Sequence, residues 1–329
     1  YSEFSYNTLV GAYEPFLDII CNMHRRFIGG SFDDFQKECG VYYLHRQVLN
    51  SYYETGECFR EETVLLNEVA YERRRMTMAI ADMLKRLSEV RPLMIVINRF
   101  QMASKSSIET IKYLIDNPCA SIGIVLGVNA LVKGTDSTVE VWDRIVESLE
   151  DRSAIYYIGS AGSLKNNVKT TNDDELYITM NFEQSIQEAS NIMEFLDFEQ
   201  AKRGCRIIEH KLKFEDAWID EKSLRRFYMV YARTSVLLGE MSKAIELTNE
   251  YKALIPKNDS EHYLSLYYFM KGTCYMYQGK LEKAENCAKS AYDYAVLAED
   301  DTLIFKAELL SVMIKMSGWY NIFFCVQDI

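Results

Sequence analysis

Arg91-Pro92-Leu93-Met94-Ile95-Val96-Ile97-Asn98-Arg99-Phe100-Gln101-Met102-Ala103-Ser104-Lys105-Ser106-Ser107-Ile108-Glu109 is the stretch whose reading decides the fold. Pro92 stops a helical pattern, and residues 93–97 follow as an unbroken apolar run, which predicts a strand buried on both faces. Residues 106–116 return to helical spacing, with Ile108, Ile111 and Ile115 on one side, and Pro118 lies past the end. Residues 122–128 form a second apolar run. Strand, helix and strand in so short a span predict a βαβ unit with its two strands parallel in one sheet.

Outward from this unit the upstream sequence is helical. Residues 13–24 place Phe16, Ile19, Ile20 and Met23 at helix spacing after Pro15. Residues 68–87 carry Val69, Met76, Ile80, Met83, Leu84 and Leu87 as one stripe. Downstream, residues 139–149 read as helix and residues 155–158 and 176–180 as further strands. The polar stretch 165–175 reads as a mobile loop. From Phe182 onward every pattern is helical. The expected architecture is α/β followed by all-α: 1–182 as a parallel sheet with helices, 183–222 as a helical connector, and 223–329 as an array of helical hairpins.

The array shows an internal repeat. Leu238-Gly239-Glu240-Met241-Ser242-Lys243-Ala244 aligns with Gln278-Gly279-Lys280-Leu281-Glu282-Lys283-Ala284, the glycines 40 residues apart. Gly permits a tight turn, and Ala lets the next helix approach closely. With Tyr228, Tyr231, Ala232 and Pro256 in one unit and Tyr268, Gly272, Tyr275 and Ala291 in the next, the pattern resembles the tetratricopeptide repeat in a lengthened form. A third unit is expected to turn at Gly318, 39 residues after Gly279, and to stop inside its second helix.

The central segment resembles the Walker B region of STAND-class signalling NTPases, such as the modules of maltose-activator-like and LuxR-type regulators. The resemblance extends to Tyr13-Glu14-Pro15-Phe16, to Glu72-Arg73-Arg74-Arg75, and to residues 121–129 and 178–190. It implies a partial P-loop-NTPase-like fold. The family's strand ends in two acids, one holding Mg²⁺ and one polarising water; Asn98 and Arg99 stand in those positions, and Asn129 replaces the arginine after the next strand. An amide supplies no charge to a hard cation, and a guanidinium cannot act as a base. No GxxxxGK[ST] occurs, so no cofactor is expected in this fragment, and ATP enters only if a P-loop lies upstream.

The resemblance therefore implies a fragment of an intracellular signalling or transcription-regulatory protein. A non-hydrolytic switch or docking module would be joined to an array that binds a protein or small inducer. The alternatives are an active ATPase completed by an upstream P-loop, and a plain interaction scaffold. The first residue, Tyr1, and the apolar final residues suggest a piece of a longer chain, with an output domain beyond Ile329.

Composition narrows the field further. A net charge of −11 and a pI of about 5.1 disfavour direct contact with nucleic acid. No apolar run approaches the ~20 residues of a membrane span. Eight cysteines without a CxxC pair read as buried, reduced thiols of a cytoplasmic protein. Cys21 and His24 read as a core cysteine and an edge histidine rather than a metal site. Residues 159–163 read as a flexible turn, and the Arg73–Arg75 and Arg225–Arg226 clusters as solvated helix faces. The aromatic residues at 263, 267, 268, 269, 275 and 277 read mostly as core between helices, with some tyrosines lining the binding face of the array.

Overall fold

The computed structural model describes residues 2–3, 11–58, 68–127, 132–133, 145–147, 169–170, 181–214, 219–258 and 260–327, the last ten by backbone only. It divides into two compact units, 1–215 and 216–329. Outside the described residues lie the expected strands at 155–158 and 176–180, the turn at 159–163, Asn129, and all of the polar stretch 165–175 except two residues. Of the helix expected at 139–149, residues 145–147 are described, and they are helical.

In the first unit, β1 (Ser2–Glu3), β2 (Leu93–Asn98) and β3 (Ile122–Leu126) form a sheet in the order β1-β2-β3. Both pairings are parallel, with Ser2 opposite Ile97 and Leu93 opposite Ile122, so β2 is central. The helices are α1 (Phe16–Met23, continued by a wider turn over His24–Ile28), α2 (Phe32–Glu38), α3 (Tyr43–Thr55), α4 (Val69–Val90) and α5 (Lys105–Asp116). A short pair, β4 (Val132–Lys133) and β5 (Lys169–Thr170), precedes α6 (Phe182–Glu194) and α7 (Phe198–Phe214).

Local sequence accounts for these boundaries. Arg91, held extended by the proline after it, ends α4 and starts β2. Ser104 caps α5 by accepting the Ser107 N–H, and Asn181 with Gln184 forms a reciprocal capping box on α6. Met76, Ile80, Met83, Leu84 and Leu87 of α4 are fully buried, as the stripe requires.

Two expectations need correction. β2 is not buried on both faces: Ile95 and Ile97 face the core, but Met94 is 68% exposed, and Val125 of β3 is 52% exposed. An apolar run says that a strand can be covered twice, and here one face stays open. Nor are residues 183–214 a connector. Asn191 accepts the Cys58 N–H at 2.9 Å and donates to the Gly56 carbonyl at 3.0 Å, tying α6 to the end of α3 within the first unit.

The second unit is all helix: α8 (Glu221–Leu237), α9 (Met241–Ala253), α10 (Glu261–Tyr277), α11 (Leu281–Leu297) and α12 (Asp301–Gln327). Gly239 and Gly279 adopt φ of 79° and 71°. The N–H of each bonds back to Val236 O or Met276 O, and the next N–H reaches Ser235 O at 2.8 Å or Tyr275 O at 2.9 Å. Both helices therefore end in the same Schellman turn. Ala244 and Ala284 are fully buried. Gly272 marks the closest helix approach, since a Cβ there would lie 3.0 Å from Leu310 and 3.1 Å from Cys287. Met276, Ala284, Ala288, Leu310 and Ile314 form the core of this end of the array.

The turn expected at Gly318 is absent, because α12 runs through it without a break. A glycine interrupts a helix only when the chain gains by turning; otherwise it costs about 1 kcal/mol relative to Ala and is tolerated. Among the described residues no helix is long and apolar enough to cross a membrane.

Candidate functional site

The carboxyl end of the central strand is where an open parallel sheet presents its chemistry. Asn98 is the last residue of β2, and Arg99 turns the chain with φ 55° and ψ 38°, a left-handed conformation uncommon for a residue with a side chain. Asn98 Oδ1 accepts the Arg99 N–H at 3.0 Å. The neighbouring loop is fitted around that amide: a Cβ on Gly127 would stand 2.7 Å from Asn98 Oδ1. Gly127 N–H donates to Ile97 O at 2.7 Å, and Phe100 N–H donates to Gly127 O at 3.0 Å. The amide at position 98 thus braces its own turn.

Beyond this turn, α5 starts in a buried polar cluster. Ser104 Oγ lies 2.9 Å from both Ser106 Oγ and Ser107 Oγ. Tyr13 N–H donates to Ser106 Oγ at 3.1 Å. Tyr13 is fully buried, and its hydroxyl sits 3.4 Å from Thr77 Oγ1. Asp197, also fully buried, accepts the Ser106 N–H through Oδ2 at 3.0 Å and the Gln200 N–H through Oδ1 at 3.4 Å. One carboxylate thereby caps α5 and α7 together. Leu196, at φ 67°, makes the left-handed turn after α6 that delivers it.

Charge surrounds the cluster. Arg73 of α4 reaches Glu199 of α7 at 3.2 Å and Glu109 of α5 at 3.4 Å, and Lys105 reaches Glu199 at 3.4 Å. Arg73 is 18% exposed at its side chain, so it is an ion-cluster residue and not part of a solvated face. Burial raises the Asp197 carboxyl, against the pull of its Ser106 hydrogen bonds. Burial likewise raises Glu109, with Arg73 opposing. Burial also pushes Glu199 upward, but its own N–H, Lys105 and Arg73 outweigh that and hold it low.

A second acidic site lies at the lead-in to α1. A Cβ on Gly11 would stand 2.8 Å from Glu188 Oε1 and 2.9 Å from Glu14 Oε1, so the two carboxylates converge above one glycine. Burial pushes both to about 7, with Asp18 adding to each and Glu14 adding to Glu188. The pair joins the start of α1 to α6.

The expected site residues therefore fall in separate places. Asn98 and Arg99 share the strand end, Gly239 with Ala244 and Gly279 with Ala284 sit at the two hairpin turns, and Gly318 lies within α12. Cys21 is buried in the core as expected, but His24 is not at a helix edge: it is fully buried among Phe32, Phe35 and Tyr53, with Nδ1 3.1 Å from the Tyr53 hydroxyl. Burial raises the Cys21 thiol to about 11. No grouping of three or more His, Cys, Asp or Glu able to hold a metal occurs among the described residues. Asp197, Glu14 and Glu188 escaped the sequence reading, because a lone acid in an amphipathic helix pattern looks solvated until tertiary contacts bury it. No family model, no curated protein and no solved structure matches the chain.

Proposed function

We propose that the chain is part of an intracellular signalling or transcription-regulatory protein. In this reading a STAND-type, NTPase-like first unit works as a switch or docking body without hydrolysing nucleotide. The tetratricopeptide-like second unit recognises a protein or small inducer. Contact with nucleic acid or membrane has no place in it, and any output would come from another segment.

The observation that carries this reading is the pair Asn98 and Arg99 at the end of the central strand. Mg²⁺-dependent hydrolysis needs a carboxylate on the metal and a base for water. Asn98 is neutral, and its oxygen is engaged by the Arg99 N–H. Arginine stays protonated at any working pH. The acids around α5 are engaged as well, Asp197 with two helix starts and Glu109 and Glu199 with Arg73. Among the described residues, the strand end is linked through α5 and Asp197 to α7, a mechanical path that supports the switch reading.

Mg²⁺-dependent ATP turnover tests the proposal. The chain is expected to show none above background. Turnover that falls when residue 98 or 99 is altered overturns it.

A further inference from the structure

α12 is apolar on two opposite sides. Leu303, Ala307, Leu310 and Ile314 recur at steps of four, three and four residues and are buried, the last two in the core shared with α10 and α11. Phe305, Leu309, Val312 and Met316 repeat the same steps two residues further on, about 200° round the helix. All four are exposed, Phe305 at 61% and Met316 at 57%. A helix apolar all round is expected to be covered all round, yet among the described residues nothing covers this second side. Isolated exposed apolar side chains need no explanation, but four in line over about 17 Å make a contiguous patch.

The spacing is that of a coiled-coil seam, with Phe305 and Val312 at one core position of the heptad and Leu309 and Met316 at the other. Charge on the rim selects the occupant. Glu308 and Lys315 are exposed and stand one heptad apart on the same flank, where charges beside a seam set partner and direction. Neither has an ion-pair partner among the described residues.

Against an identical helix running the same way, glutamate would lie level with glutamate and lysine with lysine. With the second helix reversed, Phe305 faces the partner's Met316 and Leu309 faces the partner's Val312. Glu308 then lies within about one turn of the partner's Lys315. Each of these contacts occurs twice about the two-fold axis. Stripe and rim are therefore complementary to themselves, which a closed two-fold interface demands.

We propose that the exposed side of α12 is a self-association surface, on which a second copy of this chain lays its own α12 antiparallel. The proposal is independent of the readings of the first unit as a switch and of the second as a recognition array.

Sedimentation equilibrium of the 329-residue chain tests it. So short a seam belongs with the small, reversible interfaces. The mass should accordingly climb from 38.3 kDa towards twice that value as concentration rises from about 1 to about 100 µM. Phe305→Glu with Val312→Glu, both at exposed positions, should hold the mass at one chain with the helical circular dichroism unchanged. Met94→Glu, at an equally exposed apolar position on β2, should leave the association intact. Glu308→Lys sets lysine against lysine and should weaken the dimer about tenfold, and adding Lys315→Glu should restore it. If the double glutamate variant loses helix, the charge exchange alone decides. A chain that stays at 38.3 kDa at about 100 µM, as it would if a different protein or another segment covers the stripe, overturns the proposal. So does a dimer that survives Phe305→Glu with Val312→Glu, or a charge exchange without recovery.

Discussion

Glu14 and Glu188 show how one contact can set the pH response of a fold. Each carboxyl is raised in the folded chain to about 7, chiefly by burial. In the unfolded chain both ionise near the ordinary glutamate value of about 4.3. As pH climbs between these values, the unfolded state loses protons that the folded state keeps, so stability falls across that window and levels off above 7. Glu14→Gln or Glu188→Gln should therefore raise the melting temperature at pH 8 and leave it nearly unchanged at pH 4. The gain at pH 8 should be on the order of 3 kcal/mol, the worth of carrying a carboxyl from its ordinary value up to about 7. Thermal melts at the two pH values check this, and an equal effect at both would remove the buried carboxyls' ionisation from the account. Nothing in the sequence announces this pair. Glu14 sits beside a proline and Glu188 in an amphipathic pattern, and only the fold sets them over Gly11.

The elements were legible where a side-chain period or a backbone demand was strong. The apolar runs around 95 and 124, the α4 stripe and the glycines at 239 and 279 each have a single physical solution. Gly318 had two, since glycine serves a turn and a helix interior alike. The two cases can be separated by substitution. At Gly279, with φ 71°, an added Cβ meets nothing within 4 Å, so the cost of Gly279→Ala is purely conformational. It should destabilise the array by about 1–2 kcal/mol. Gly318→Ala, inside a continuous helix, should instead stabilise it by about 0.5–1 kcal/mol. Urea midpoints of the two variants should thus move in opposite directions. A destabilised G318A would restore the turn that the sequence pattern suggested. The open face of β2 was not legible either, because Met94 reads the same whether or not a layer covers it.

At the scale of the whole molecule the chain is two units, and the change from strands to helices at 182 does not coincide with the boundary between them. The helical period begins at 182, but the first unit closes only at 215, because α6 and α7 complete its core. Periodicity reports the type of an element and is blind to which core owns it. Asp197→Asn tests this ownership: with one acceptor oxygen in place of two, either the Ser106 or the Gln200 N–H is left unpaired, costing about 1–3 kcal/mol. Calorimetry should show the transition of the first unit lowered while that of the second holds; a shift in both would mean that the units melt as one. The shared carboxylate has a kinetic consequence besides. Asp197 accepts one N–H from the first turn of α5 and one from the first turn of α7, so fraying of either turn breaks a bond to the same buried carboxylate. The Ser106 amide proton thus becomes a clock for both helices: it can trade with solvent deuterium only when its bond to Asp197 opens, whether α5 or the start of α7 moves first.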